Sequence, residues 1–405
     1  MSAVYVMETS RTPIGRAIKG VFSNERPENL AKSAVQSLMA KVPEVAPSDI
    51  DELILGVGVP GGQQGSNLAR VVAVLMGWDT VPAHVVSRYC ASSSQAIRSA
   101  AQAIMSGEEH CVIAAGVESI SSMALTDVDN LPGSKSPVFE TAIQRTEAFS
   151  RQGGLWQDPR EKNQLPNIYI SMGETAENLA NLFDISRRDQ DDYALRSQTL
   201  AEKARQDGFW SREIDPYQLQ NGSKVTEDES PRPSTSAAGL AGLDPVFREA
   251  GTVTAGNACP LNDGASALLL ASEDFVQKHG LKPRARILGG AASAISPEIM
   301  GQGPVGAIEK LESKLGLRGR VEQYEINEAF AVQVLANIRT LGVDVEKVNL
   351  NGGSIAVGHP YGMTGARIAG TLINSLETHD HEIGIEAMCV AGGQGMAIAF
   401  ERIGN

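Results

Sequence analysis

Cysteine is scarce in this chain and basic charge is in deficit, and each shortage removes a class of function. The four cysteines, Cys90, Cys111, Cys259 and Cys389, stand far apart with no C-x-x-C pair. Neither a disulfide scaffold nor a zinc ribbon fits that spacing, and they read as free thiols in a reducing compartment. Acidic residues number 48 against 35 basic ones, a formal net charge of -13 at pH 7. A field of that sign repels phosphate backbones and anionic lipid, which speaks against nucleic-acid and membrane partners. No apolar run approaches the ~18 residues of a membrane span. The opening MSAVYVMETSRTPIG has neither a basic region nor a long apolar one, so the expectation is a soluble, cytoplasmic protein.

What is present is ordinary globular composition, 42% hydrophobic and 20% charged over 405 residues, enough for two or three domains at roughly 150 residues each. The 41 glycines exceed the ~7% of an average protein and need a local reason. Short apolar runs (AVYVME, ELILGVGV, HVVSRYC, CVIAAGVES) alternate with Ala-rich helical stretches, the pattern of a parallel sheet with helices packed on it. The plan repeats toward the carboxyl end (ARILGGAASA, QYEINEA, VNLNGG), closing on a strand pair, IGIEAMCVAGGQGMAIAFERI. Two similar halves are implied: residues 1–123 with 251–280, and residues 281–405. Between them, at 124–250, the alternation breaks down into a segment read as an inserted loop domain carrying substrate contacts. It holds one strongly helical stretch, ISRRDQDDYALRSQTLAEKARQ, and several aromatics (Trp156, Tyr169, Tyr193, Phe209, Trp210) that need burial.

Several places have the residue types that chemistry needs. Gly56-Val57-Gly58-Val59-Pro60-Gly61 matches G-x-G-x-x-G, but Pro60 removes an amide and the helix starts too late, so dinucleotide binding is not expected there. Cys90 ends an apolar strand and opens a helix, where the helix amino terminus is expected to lower its thiol pKa and to aim amides at whatever it attacks; the bland alternative is a buried, inert thiol. His359 lies in the glycine-rich turn NGGSIAVGHP, where backbone can approach a ligand closely. Cys389 precedes Ala391-Gly392-Gly393, a turn able to donate amides to an oxyanion. Asn327 offers a side-chain amide at a further strand end, or else caps the following helix.

At these residues the chain resembles the thiolase family, and the resemblance runs through nearly its full length. It is carried by SRTPIG, the Cys90 junction, GVES, MGETAEN, ISRRDQDDYALRSQ, GTVTAGNA, NDGA, MGQGP, NEAFA, NGGSIAVGHP and CVAGGQG, in that order. It implies an α/β fold of five layers, αβαβα, built from two similar halves with an inserted loop domain. It further implies reversible thiolysis of 3-ketoacyl-CoA or the reverse condensation, with coenzyme A as substrate, no permanently bound cofactor or metal, and dimers often paired into tetramers. By motif, Cys90 resembles the acyl-accepting nucleophile, His359 its base and an oxyanion donor, Cys389 the second acid/base, and Asn327 the holder of a water beside His359. Backbone amides of Cys90 and Ala391 stand where the family binds the thioester oxygen. Met172, Arg232, Phe247, Ala258, Cys259, Leu261, Met300, Ala329 and Phe330 stand where it lines the coenzyme A path, with Arg232 toward the nucleotide. Ser87, Ser93, Ser171, Cys259 and Ala391 depart from its usual residues. Two other functions stay open: a condensing synthase that uses a single cysteine, and a non-catalytic acyl-CoA or lipid carrier of the same fold.

Overall fold

The structure, a computed structural model, describes residues 2–126 and 133–404. Six residues of the expected insertion, 127–132, lie outside the described residues. The principal strands are β1 (Val4–Arg11), β2 (Glu52–Val57), β3 (Ala83–Val86), β4 (Cys111–Ser119), β5 (Asn262–Ser272), β6 (Ala285–Ala294), β7 (Gln323–Ile326), β8 (Ile383–Val390) and β9 (Gln394–Arg402). The helices that place the site are α1 (Pro27–Lys41), α2 (Leu68–Leu75), α3 (Ser92–Ser106), α4 (Met172–Leu182), α5 (Arg187–Gln206), α6 (Gly303–Leu315), α7 (Ala331–Leu341) and α8 (Tyr361–His379).

With the two-residue strand Gly15–Arg16, these strands form one ten-stranded sheet in the order β7-β8-β9-β6-β1-β5-β4-β2-β3. The expected parallel sheet is corrected to a mixed one. Only β2 with β3, β2 with β4, and β7 with β8 run parallel. The tight turn at 391–393 forces β8 and β9 antiparallel, because a parallel return needs a crossover of a dozen or more residues. β5 likewise runs antiparallel to both β1 and β4. Among the described residues the half-sheets pair through Tyr5 with Arg286 and Val6 with Ala285, a two-pair ladder between β1 and β6, extended by the Arg284 amide on the Val6 carbonyl.

Strand periodicity sorts side chains into layers, since alternate residues point to opposite faces. On β4, Cys111, Ile113, Ala115 and Val117 pack in the cluster that holds Leu30, Val35 and Leu38 of α1 and Val72 of α2. Its neighbours Val112 and Ala114 join Ile97 and Ile104 of α3 and Ile368 and Leu372 of α8. On β9, Met396, Ile398 and Phe400 enter that same central cluster. Ala397 and Ala399 point the other way, toward Ile308 and Leu311 of α6 and Val334 of α7. Five layers result, with α3 and α8 shared between the half-sheets.

Close approach explains part of the glycine excess. A Cβ on Gly56 of β2 would lie 2.3 Å from the Ser93 amide nitrogen, and one on Gly362 of α8 would lie 2.3 Å from the Val117 carbonyl oxygen. Helix ends follow their local chemistry: Gly107 closes α3 at φ 83, and Ser186 and Asp189 form a capping box at the start of α5. The segment after β4 is not a loose linker. Tyr193, Phe209 and Trp210 are buried, and Asn221-Gly222-Ser223 is a hairpin turn in which the Ser223 amide donates to Asn221 Oδ1 at 3.0 Å. Arg11 of the SRTPIG motif fastens this segment to β1 through a bidentate pair with Asp228 (2.8 and 2.9 Å) and a bond to Glu213 (2.9 Å).

Gly56→Ala places a methyl against main chain that cannot swing away, and overpacking of this kind costs about 1–3 kcal/mol. Urea denaturation should show a loss in that range; unchanged stability would mean that α3 and β2 are not held at this distance.

Candidate active site

The chain reaches Cys90 through a strained elbow. Tyr89 adopts φ 44, a conformation rare for a residue with a bulky side chain. Ser92 holds the bend: its Oγ accepts from the Arg88 amide at 2.9 Å and lies 2.6 Å from the Tyr89 carbonyl, to which it donates. Cys90 therefore precedes α3, partly exposed, with its own amide and that of Ala391 directed at its sulfur.

Cys389 and Cys259 face the same point. Cys389 is buried on β8, and its thiol is pushed up first by burial and then by Cys90 and Cys259. Cys259, whose amide donates to the Ala329 carbonyl at 3.1 Å, is pushed up by burial and by Cys90. For Cys90 the expectation of a lowered pKa is corrected. Burial dominates, the Glu118 carboxylate adds to it, and the two amides offset them only in part, so the thiol is pushed up to about 12.

His359, 1% exposed, sits just before α8. Its Nδ1 lies 2.7 Å from Thr364 Oγ1, which donates to the Pro360 carbonyl at 2.6 Å. Its Nε2 lies 3.3 Å from Asn327 Nδ2. With the Asn327 amide in this orientation Nε2 accepts, and the ring carries its proton on Nδ1. Burial and the Arg367 charge pull the imidazole down to about 3, which keeps it neutral. Asn327 is not a helix cap: the cap residue of α7 is Phe330. Its neighbour Glu328 pins the surrounding loops, accepting from Tyr193 (3.1 Å), Ser197 (2.6 Å) and Asn349 (2.9 Å).

Glu118 links the two groups of residues. Its carboxylate accepts from the Gly58 amide (2.8 Å), Gln64 Nε2 (2.6 Å) and the Gly362 amide (2.6 Å). The glycine-rich turn after β2 thus spends its amides on a carboxylate, as its poor match to a phosphate loop suggested. Met172, Ala258, Met300, Ala329 and Phe330 pack in one apolar cluster with Cys389, and the Phe247 ring meets Phe330 edge-on at 6.2 Å. Leu261 and Arg232 are exposed, the latter held by its amide to Gln198 Oε1 at 2.8 Å.

The thiolase N-terminal domain family model matches residues 4–274, and the thiolase C-terminal domain model matches residues 281–402. The chain belongs to the thiolase family. It is 42% identical over 409 residues to a beta-ketoadipyl-CoA thiolase of Pseudomonas aeruginosa, covering 99% of each chain. To a 3-ketoacyl-CoA thiolase of Aliivibrio fischeri it is 40% identical over 412 residues, covering 99% of this chain and 100% of that one. Among solved structures, a Bacillus anthracis acetyl-CoA acetyltransferase superimposes with TM-score 0.86 at 38% identity, covering 100% and 99% of the two chains. Human mitochondrial 3-ketoacyl-CoA thiolase in complex with CoA does so with TM-score 0.85 at 33% identity, covering 100% and 98%. This thiolase is accordingly an acyltransferase.

Its departures from the family pattern have local partners. Ser93 Oγ accepts from the Ala366 amide at 2.9 Å, binding α3 to α8. Ser87 Oγ donates to the Gly58 carbonyl at 3.1 Å, and Ser171 caps α4. At the turn after Cys389 the left-handed positions are Gly392 and Gly393, at φ 80 and 78. Ala391 is not among the left-handed residues, so its side chain fits without strain. Sequence reasoning assigned no role to Glu118, Thr364, Ser354 or Arg367. Glu118 and Ser354 lie in motifs already noticed, GVES and NGGSIAVGHP, but a polar residue that acts by holding another has no spacing signature.

A thiol pushed up and an imidazole pulled down leave Cys90 and His359 both uncharged at neutral pH. Alkylation of Cys90 by iodoacetamide, followed by peptide mass spectrometry, should therefore climb steadily between pH 7 and 10. A plateau reached below pH 8 would reveal a preformed thiolate–imidazolium pair instead.

Proposed function

We propose that this thiolase cleaves 3-ketoacyl-CoA to acetyl-CoA and a shortened acyl-CoA through an acyl-Cys90 intermediate, reversibly, or runs the reverse Claisen condensation. The supporting observation is that the amides of Cys90 and Ala391 and the thiols of Cys259 and Cys389 lie close enough to Cys90 to bear on one another's ionisation. In this reading Cys90 Sγ attacks the 3-keto carbon while its proton passes to His359 Nε2. The bond between C2 and C3 then breaks, its electron pair passing into the enolate of acetyl-CoA, and Cys389 protonates that carbon. The Cys389 thiolate next takes the proton of incoming CoA, whose sulfur displaces the acyl group from Cys90. Cys90 regains its proton from His359. The amides of Cys90 and Ala391 receive the oxygen of the tetrahedral species on Cys90. His359, with Asn327 and a water, receives that of the acetyl-CoA enolate.

The pantetheine arm is assigned to Met172, Phe247, Ala258, Cys259, Leu261, Met300, Ala329 and Phe330, a reading supported by the apolar cluster that Met172, Ala258, Met300, Ala329 and Phe330 share with Cys389 and by the edge-on contact of Phe247 with Phe330. Arg232 is assigned to the nucleotide, supported by its exposure and charge. Residues 124–250 are read as the substrate loop domain between the halves. The same reading carries a cytoplasmic, dimeric or tetrameric enzyme, its association supported by the half-exposed edge strand β3. No helix among the described residues is long and apolar enough to cross a membrane. A condensing enzyme with a single cysteine has no need of Cys389 facing Cys90, which favours the two-thiol mechanism.

Cys90→Ala should lower thiolysis of 3-ketoacyl-CoA by about 10⁴-fold or more, and intact mass after incubation with substrate should lose the acyl adduct. Cys389→Ala should cost about 10²–10⁴-fold while still acquiring the adduct. Undiminished turnover in Cys90→Ala refutes the acyl-enzyme. Undiminished condensation in Cys389→Ala shifts the assignment to the single-thiol mechanism.

A further inference from the structure

A base must present a lone pair, and for His359 that requires one tautomer of two. Its two direct partners do not by themselves decide which. The Thr364 hydroxyl can rotate to donate to Nδ1 rather than to Pro360, and the Asn327 amide can flip to offer Oδ1 rather than Nδ2 to Nε2. Each of these groups accommodates either tautomer.

The next two links remove the choice. Asn327 Oδ1 lies 2.6 Å from Ser354 Oγ, and Ser354 Oγ lies 2.5 Å from Arg367 Nη2. A guanidinium has no acceptor, so Ser354 accepts from Arg367, and since Asn327 is the only other partner of its hydroxyl among the described residues, its own proton goes to Asn327 Oδ1. That fixes the amide with Nδ2 toward His359, leaves Nε2 as acceptor and sends the ring proton to Nδ1, where Thr364 accepts it. Arg367 is itself fully enclosed, its Nη1 3.7 Å from Glu325 Oε1, with both side chains 1% exposed. Every member of the chain from Arg367 to His359 is buried, so bulk solvent does not compete for its hydrogen bonds.

The structure assigns to Arg367, acting through Ser354 and Asn327, the setting of the tautomer that His359 presents to the reaction. Arg367 and Ser354 are positioning residues, touching neither substrate nor reacting atoms. The assignment extends the proposed function, since it matters for turnover only if His359 is the base.

The test is imidazole ¹⁵N NMR of histidine-labelled full-length protein, with the His359 signals identified by their loss in His359→Gln, alongside steady-state kinetics. The parent and Ser354→Thr, which keeps the hydroxyl, should show His359 protonated on Nδ1 alone. Ser354→Ala should populate the Nε2-protonated form and lower kcat by about 10–100-fold with KM within about twofold; Arg367→Met should do the same if it folds. Ser354→Ala with the Nδ1-protonated ring intact overturns the proposal, whatever happens to turnover. A changed tautomer with unchanged kcat leaves the relay standing and removes His359 from the role of base.

Discussion

The crossing of α3 and α8 in the middle layer is the constraint on which the site depends. Cys90 precedes the first helix and His359 precedes the second, so their separation is the separation of two helix starts. The contact is backbone against backbone: a Cβ on Gly365 of α8 would lie 2.3 Å from the Ser94 amide nitrogen of α3, and the Ala366 amide bonds Ser93 Oγ. Interiors packed at this density transmit small displacements rather than absorb them. The half-sheets act as a clamp on this pair, and because their ladder to each other is two residue pairs long, the shared helices join the halves as well.

The same middle layer holds ionisable groups that a purely apolar packing would exclude. Arg11, Glu213, Arg367, Glu325 and Glu386 are all buried. Glu386 is pushed up to about 8 by burial, against the opposing influence of Ser94 and Arg367. Buried ion pairs give little net stability compared with apolar replacements, yet removing one partner costs about 3–5 kcal/mol. Their effect is therefore on registry. Arg11 joins β1 to the segment after β4, Thr371 of α8 donates to Glu213 at 3.0 Å, and Arg367 of α8 faces Glu325 on β7. A shift of α8 relative to either half would strand a charge.

Much of this was legible in the residues themselves. Alternation located the strands and helices, and the cysteines and histidine stood out because each ended a strand or occupied a turn. Strand direction was not legible: a run such as NDGASALLLAS on β5 is buried on both faces and reads the same in either direction. The thiol of Cys90 was misjudged for a related reason. Its helix amino terminus is visible in sequence, but enclosure by Cys259, Cys389 and Glu118 comes from stretches far away along the chain, and burial outweighs the local amides. Arg367 escaped notice because an arginine in a helix normally marks the solvated face. Only the fold shows that this face is the middle of the molecule.

The raised thiol and the aimed amides are parts of one arrangement. An amide that stabilises a thiolate in the resting site is already engaged when a carbonyl oxygen begins to carry charge, and differential stabilisation is what lowers a barrier. Here burial keeps Cys90 protonated despite the amides of Cys90 and Ala391. Those donors are therefore not committed to a charge before attack begins. The neutral imidazole fits the same logic, since its lone pair is held toward Asn327 by hydrogen bonds rather than drawn toward a neighbouring anion. In the proposed mechanism charge then forms only when sulfur, ketone and ring meet, within a framework whose dipoles are already in place.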